Sequence, residues 1–374
     1  MRINANQKSL MKCVQIAGSV AVHNFVVHPA VSCIRLVAEE SSFHLEATDL
    51  ETGLRLLVPD VEIEEEGVAL VSWKKFNDIL RSFSRAGQES IEIRTNKREV
   101  VIEGEGSKFR LRREDSEEFP VLENKVGDNE YLQLEAEWLK DAIAKTVIAA
   151  AIERGTYTLN GVKIELKDRQ LRFVATDRRR LAVVEREVDN EKGLSWDAIV
   201  PNEGLKAIDK FIDRGKDEFL DVAISDNRVF IRKKKEGYIF SQLLSGIFPI
   251  YKPLIPTDMP IEVEIDVDLF LRGVLQARVL TSDESKAVSF SFQEGEVVLR
   301  SSDPELGESE IRLELPYDNE PLEIAFNPDY LISALKVIDT ETAILHLKAP
   351  DAPCVLLDKQ GFTYVLMPIW FGTD

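Results

Sequence analysis

The chain has 374 residues, 44% hydrophobic and 30% charged, with a formal net charge of −19. That composition indicates a folded globular protein of two or three domains and excludes disordered and fibrous classes. The acidic balance excludes a uniformly basic, nucleic-acid-coating surface, three cysteines without a CxxC pair exclude a disulfide framework, and no apolar run approaches the ~20 residues of a membrane span. The opening MRINANQKSLMK lacks the apolar core of a signal peptide, so a cytoplasmic protein with no membrane association is expected.

The first helical pattern covers 6–17, where Leu10, Cys13, Val14 and Ala17 fall on one face. Alternating strands follow and close on LEATD at Asp49. A second helix opens at Trp73, with Phe76, Ile79, Leu80 and Phe83 as its apolar stripe and Lys74, Arg81 and Arg85 elsewhere on its surface. Period-two segments such as SIEIRTNKREVVIEGE then lead to Phe109 in FRLRRE. The order repeats. Leu139, Ala142, Ile143 and Thr146 stripe a helix over 136–149, and FVATD closes at Asp177. A helix follows Pro201, with Leu205, Ile208 and Ile212 opposite Lys206, Lys210 and Arg214, and Phe240 lies downstream in FSQLL. In the last third come the stripe Phe270, Gly273, Val274 and Ala277, LRSSD at Asp303, a helix from Asn327, and YVLMP from Tyr364.

The three Asp landmarks are 128 and 126 residues apart. Trp73, Pro201 and Asn327 each stand 24 residues after an Asp, and Phe109, Phe240 and Tyr364 stand 60, 63 and 61 after. Leu10, Leu139 and Phe270, which open the first helix of each copy, stand 39, 38 and 33 residues before the Asp. These four landmarks in phase define three copies of one domain, placed at 1–126, 127–256 and 257–374. Each copy carries two amphipathic helices and about eight short strands without βαβ alternation. The expected class is therefore α+β, with helices packed on antiparallel sheets.

No GxSxG, Walker A or GxGxxG motif occurs, and the four histidines show no HExxH spacing. One Asp per repeat places these carboxylates far apart, whereas a two-metal nuclease needs its ions ~4 Å apart. Capping of a turn accounts for them more simply. No cofactor, metal or catalytic constellation is expected, and an enzyme acting on DNA is the disfavoured reading. The six helical segments hold 14 Lys or Arg and 9 Asp or Glu, so the remainder of the chain carries −24. Helices less acidic than their surroundings suit phosphate contact, although ordinary solvated helix faces would carry the same charges.

The residues YTLNGVKIELKDRQLRFVATDRRRLAVVERE (157–187), SGIFPIYKPLIP (245–256), FNPDYLISALK (326–336) and YVLMP (364–368) resemble the bacterial DNA polymerase III beta subunit family, the sliding clamps. ATDLE (47–51), VSWKKFNDIL (71–80) and FRLRREDSEEFP (109–120) extend the resemblance to the first repeat. It implies a DNA clamp fold: a head-to-tail homodimeric ring of six domains that encircles duplex DNA, without sequence preference, and tethers the replicative DNA polymerase. It implies as further partners a clamp loader, repair polymerases and mismatch-repair proteins, and no catalytic role for the chain itself.

The resemblance places a partner-peptide pocket at Leu159, Thr176, Arg180, Leu181, Pro249, Leu254, Val365, Met367 and Pro368. DNA contact is expected from Lys74, Arg81, Arg85, Arg154, Lys206, Lys210, Arg214 and Arg272, and the dimer contact from Phe109 and Leu111 against Val279 and Leu280. The chain departs from the family pattern in four places. Arg178-Arg179 replace Gly-His, Ile250 and Pro253 stand where Asp and Arg are frequent, residues 369–374 extend past the usual end, and the 20–34 segment is unfamiliar. A clamp-like paralogue with a specialised repair or mobile-element role is the alternative these changes raise.

Overall fold

A computed structural model describes residues 1–21, 29–85, 87, 89–115, 117, 119–122, 126–152, 157–212, 219–282 and 286–369. The first repeat runs β1 (Arg2–Asn6), α1 (Gln7–Ala17), β2 (Cys33–Glu39), β3 (Ser42–Thr48), β4 (Thr52–Leu57), β5 (Val61–Glu65), β6 (Gly67–Ser72), α2 (Trp73–Arg85), β7 (Ser90–Thr95), β8 (Glu99–Gly104) and β9 (Ser107–Arg112). The second runs β10 (Leu132–Glu135), α3 (Ala136–Val147), β11 (Gly161–Lys167), β12 (Gln170–Thr176), β13 (Arg180–Glu187), β14 (Trp196–Pro201), α4 (Asn202–Phe211), β15 (Phe219–Ser225), β16 (Arg228–Lys233) and β17 (Gly237–Gln242). The third runs β18 (Ile261–Asp266), α5 (Val267–Ala277), β19 (Val288–Gln293), β20 (Glu296–Asp303), β21 (Gly307–Glu314), β22 (Leu322–Phe326), α6 (Pro328–Leu335), β23 (Thr342–Leu347), β24 (Cys354–Leu357) and β25 (Phe362–Leu366).

Six helices stand where the periodicity predicts them, and their starts have chemical causes. Asn6 accepts the Lys8 and Ser9 N–H groups, Asp266 accepts that of Leu269, and Asn327 accepts that of Asp329. These caps satisfy donors that a helix cannot pair internally. The predicted stripes are buried: Leu10, Val14 and Ala17 are fully enclosed, as are Ala142, Thr146, Val274 and Ala277. Trp73 pins α2 to α1 by donating from Nε1 to the Val14 carbonyl at 3.0 Å. Its ring leaves no room opposite, since a Cβ on Gly18 would sit 2.2 Å from it. The last helix ends earlier than its sequence pattern, at Leu335, where Lys336 and Val337 bond back to Ile332 and Ala334 in a closing turn.

All paired strands are antiparallel, in four sheets. Two compact units hold them: residues 1–140 with 203–243, and 141–202 with 244–374. The first unit contains the sheet β5-β1-β7-β8-β9 and the sheet β10-β15-β16-β17-β4-β3-β2-β6. The second contains β14-β11-β12-β13-β25-β24-β23-β18 and β21-β20-β19-β22. Each eight-stranded sheet is therefore two four-stranded halves from successive repeats, joined edge to edge. The seam is β17–β4 in one, pairing Phe240 with Gly53, and β13–β25 in the other, pairing Leu181 with Val365. The sequence repeats give three domains in series; the compact units cut across them because these seams bind neighbouring halves.

In the second unit a buried cation fastens α3 to the β24–β25 hairpin. Lys145 is 2% exposed and lies 2.7 Å from Asp358 and 2.8 Å from Asp141. Asp358, fully enclosed, also accepts the Gln360 and Phe362 N–H groups. Removing the lysine would strand that carboxylate away from water. Lys145→Ala is expected to lower unfolding stability by about 3 kcal/mol or more, read as a shift of the urea midpoint. An unchanged midpoint would show that Asp358 is compensated some other way.

Candidate functional site: an apolar cleft beside a strained turn

The strand end at Asp177 makes a tight turn shaped by local bonds. Asp177 Oδ1 accepts the N–H groups of Arg179 and Arg180, at 2.9 and 3.1 Å. Thr176 Oγ1 accepts the Arg178 N–H and donates to the Arg180 carbonyl at 2.6 Å. Arg178 is thereby held at φ 76°, in the left-handed region. The same turn occurs in the first repeat, where Thr48 and Asp49 make the corresponding bonds and Leu50 takes φ 80°. Asp303 likewise accepts the Glu305 and Leu306 N–H groups. The three repeated carboxylates are occupied by backbone donors. Among the described residues no group of three or more His, Cys, Asp or Glu could hold a metal ion.

Beside the Asp177 turn opens a cleft of about 390 Å³, lined by Thr158, Leu159, Thr176, Arg178, Ile247, Phe248, Pro249, Ile250 and Leu254. Leu159, Val174, Leu181, Phe248, Tyr251 and Val365 belong to one buried cluster, which forms the base against which the cleft is built. Above it the apolar side chains are open to water: Ile247 is 90% exposed, Ile250 82% and Leu254 56%. Tyr251 is anchored by donating to Glu165 Oε2 at 2.6 Å, and burial first, then Glu165, push its hydroxyl pKa up. Exposed aliphatic residues grouped around a concave floor mark a surface built to be covered.

Of the expected pocket residues, Leu159, Thr176, Pro249 and Leu254 line this cleft directly. Leu181 and Val365 lie beneath, paired across the β13–β25 seam and each no more than 4% exposed. Met367 leaves β25 with 45% of its surface exposed, its N–H donating to the Arg179 carbonyl; Pro368 follows. Arg180 faces elsewhere. It pairs with Asp177 Oδ2 at 2.9 Å, donates to Ser333 and lies 4.2 Å over the Tyr330 ring, tying the turn to α6. Its burial is offset by Tyr364 and Asp177, which hold its pKa above the usual value. Sequence reasoning missed Phe248 and Ile247, and named Ile250 only as a departure from the family pattern. A signal was present, because the Phe-Pro of Phe248-Pro249 also occurs as Phe119-Pro120 after the first repeat, where Phe119 is buried too.

The other expected sites divide by location. Lys74, Arg81, Arg85, Lys210 and Arg272 are exposed and, among the described residues, carry no ion pair. Lys206 is exposed but paired with Glu203 at 2.7 Å; Arg154 and Arg214 lie outside the described residues. Phe109 meets Phe83 edge-on at 5.3 Å, and Phe109 and Leu111 remain partly exposed on β9. Val279 is 73% exposed and lines a second cleft with Leu275, Arg278 and Pro328, while Leu280 is half-buried.

Three family models match the chain: the DNA polymerase III beta subunit N-terminal domain over residues 1–123, the central domain over 133–250 and the C-terminal domain over 252–370. The beta sliding clamp of Chlamydia muridarum is 28% identical over 329 residues, 88% of each chain. That of Escherichia coli K12 is 27% identical over 344 residues, 91% of this chain and 92% of the other. The DNA polymerase sliding clamp from Bacillus subtilis superposes with a TM-score of 0.90 at 22% identity, covering 100% of both chains. The DNA polymerase III subunit beta of Pseudomonas aeruginosa bound to griselimycin gives 0.90 at 25% identity, over 99% of this chain and 100% of that one.

Thr176 is the keystone of the turn, bonding both into and out of it. Thr176→Val keeps the shape and removes both bonds, so it is expected to cost about 1–2 kcal/mol, measured by urea denaturation. Equal stability would mean that Asp177 alone sets the turn.

Proposed function

The chain belongs to the DNA polymerase III beta subunit family and is a sliding clamp, the non-catalytic processivity subunit of the bacterial replicative polymerase; we propose which of its surfaces hold partner, DNA and second subunit. Each similar protein reported above is a clamp of this kind, and a specialised paralogue is not indicated.

The partner surface is the cleft beside Asp177. Leu159, Thr176, Pro249 and Leu254 line it, Leu181 and Val365 support its floor, and Met367 and Pro368 extend it along the departing strand; Arg180 acts by positioning the turn. The observation that carries this is the open apolar wall of Ile247, Ile250 and Leu254 above a packed base. A short apolar segment of a polymerase, clamp loader, repair polymerase or mismatch-repair protein would bury those side chains. Each buried methylene contributes roughly 0.8 kcal/mol.

DNA contact is assigned to Lys74, Arg81, Arg85, Arg154, Lys206, Lys210, Arg214 and Arg272. A clamp holds duplex by enclosure, so its phosphate contacts serve best when few and solvated, and unpaired exposed cations on helices fit that need. The repeat boundaries are placed at 126/127 and 256/257, and the protein is assigned to the cytoplasm.

The dimer contact follows from the internal seams. The last strand of the second repeat, β17, joins β4 of the first; the last strand of the third, β25, joins β13 of the second. By the same rule the last strand of the first repeat, β9, seeks the counterpart of β4 and β13 in the third, which is β21. Both are sheet edges within the chain. Their exposed charges are opposite on balance, Lys108, Arg110 and Arg112 on β9 against Glu308, Glu310 and Glu314 with a single Arg312 on β21. Pairing β9 with the partner subunit's equivalent edge is a heterologous contact that closes at two subunits. Phe109 and Leu111 would meet Val279 and Leu280 alongside it.

The test is topological. Loaded on primed circular DNA by its clamp loader and ATP, the protein should co-elute with the circle and be lost after a single cut. Equal retention on linear DNA would refute enclosure. Leu254→Ala should weaken binding of a polymerase-derived peptide by about 1–2 kcal/mol without shifting the melting temperature, and unchanged affinity would move the partner surface elsewhere. Val279→Asp, at a position exposed in the single chain, should convert dimer to folded monomer by light scattering, since a charge buried in an apolar contact costs several kcal/mol. A normal dimer would contradict the interface.

A further inference from the structure

We propose that the cleft selects apolar peptides carrying acidic side chains beside their anchors, and that Arg178 and Arg179 are the residues that read those acids. The inference rests on the peptide-cleft reading above and adds to it a partner chemistry.

The first observation is unspent charge. Arg178 lines the cleft, and the carbonyl of Arg179 accepts the Met367 N–H at its margin. Both side chains are exposed, and among the described residues neither guanidinium has a hydrogen bond or ion pair. The adjacent carboxylate is already committed: Asp177 takes two backbone N–H groups on Oδ1 and pairs with Arg180 on Oδ2. Every other residue lining the cleft is uncharged, so nothing within it neutralises the pair.

The second observation is backbone strain. Arg178 stands at φ 76°, in the left-handed region that a residue with a Cβ enters at a cost and glycine does not. The turn itself requires no cation there, because the first repeat builds the same turn with Leu50 at φ 80°. A long cation is thus kept at a strained position beside a binding cleft, on a turn held by Thr176 and Asp177.

The third is contrast. The chain carries −19 overall, so an acidic segment is repelled by most of the surface and attracted at this rim. Charges at a rim set encounter rate and choice of partner, while the apolar wall sets how firmly the peptide is held.

The experiment uses the full chain and two fluorescein-labelled peptides with the same Leu and Phe anchors, one flanked by two Asp and the other by two Asn. Anisotropy titrations at low salt should show the Asp peptide binding about fivefold more tightly, as expected for two solvent-exposed ion pairs, with the gap closing at high salt. In R178Q/R179Q, where glutamine removes the charge but keeps a polar side chain and a Cβ at the strained position, the two peptides should converge. R178Q and R179Q singly should each remove part of the gap, which keeps the test valid should the double variant fold poorly. Equal affinities for the parent protein would overturn the inference while leaving the cleft reading intact. A preference that survives in R178Q/R179Q would also overturn it, because other residues would then be reading the acid. Binding of neither peptide would overturn the cleft reading as well. Displacement of the Asp peptide by oligothymidylate at matched concentration would make the rim a phosphate site and overturn it too.

Discussion

Strand edges are the constraint on which the rest of this molecule depends. A sheet edge presents unpaired N–H and C=O groups and will pair with whatever edge reaches it. Each repeat here makes two small sheets, and four of the resulting edges are satisfied inside the chain by the seams β17–β4 and β13–β25. Those seams turn half-sheets into eight-stranded sheets and explain why the compact units straddle the repeats. Among the described strands they also leave β9 and β21, the equivalent pair, each with one open edge. An odd extra strand, β5, covers β1 in the first repeat only, so the corresponding edges of β10 and β18 differ from it. Of the terminal strands, β9 and β21 form an unlike pair of opposite net charge, which is the kind of complementarity a closed assembly needs.

The same repetition explains why one junction carries an open cleft. Gly53 and Leu181 are equivalent, each paired with the threonine that precedes the turn aspartate. Across the seam Gly53 faces Phe240, whose ring would lie 2.3 Å from an added Cβ, with Leu122 at 3.2 Å. Leu181 instead faces Val365. In the first junction a large ring over a glycine fills the space; in the second, two aliphatic side chains form a floor. The Phe-Pro segments near the ends of the first and second repeats bury Phe119 and Phe248 alike. Identical backbone logic therefore yields a packed joint or a binding surface, depending on the residues at two paired positions.

Much of this was legible in the sequence because it is local. Helix stripes repeat every three to four residues, and the Thr-Asp turn carries its own donors and acceptors within five residues, so Asp49, Asp177 and Asp303 announce themselves as turn caps. Edge pairing is not local. Nothing in Gly237–Gln242 states that it will lie beside Thr52–Leu57, because any alternating strand presents the same backbone groups. The cleft was partly legible for the same reason. Leu159, Thr176, Pro249 and Leu254 were identified by resemblance, whereas Ile247, Phe248 and Ile250 line it only once the linker folds back across η-type turns at Tyr157–Leu159 and Lys252–Leu254. The direction of Arg180, toward Tyr330 and Ser333, depends on α6, more than a hundred and forty residues away.

Charge placement links these parts. A protein of net charge −19 repels DNA from most of its surface, and a repulsive exterior is compatible with holding DNA only if attraction is confined to particular helix faces. The described cations suited to that task, Lys74, Arg81, Arg85, Lys210 and Arg272, are exposed and unpaired, while Lys206 is shared with Glu203. Exposed charges of this kind contribute little each and are screened within about 8–10 Å at physiological salt. A contact made of many such weak terms can be exchanged from one phosphate to the next without a large barrier. Strength would defeat sliding, so retention must come from enclosure, and enclosure needs edges that join two subunits, the role proposed for β9 and β21.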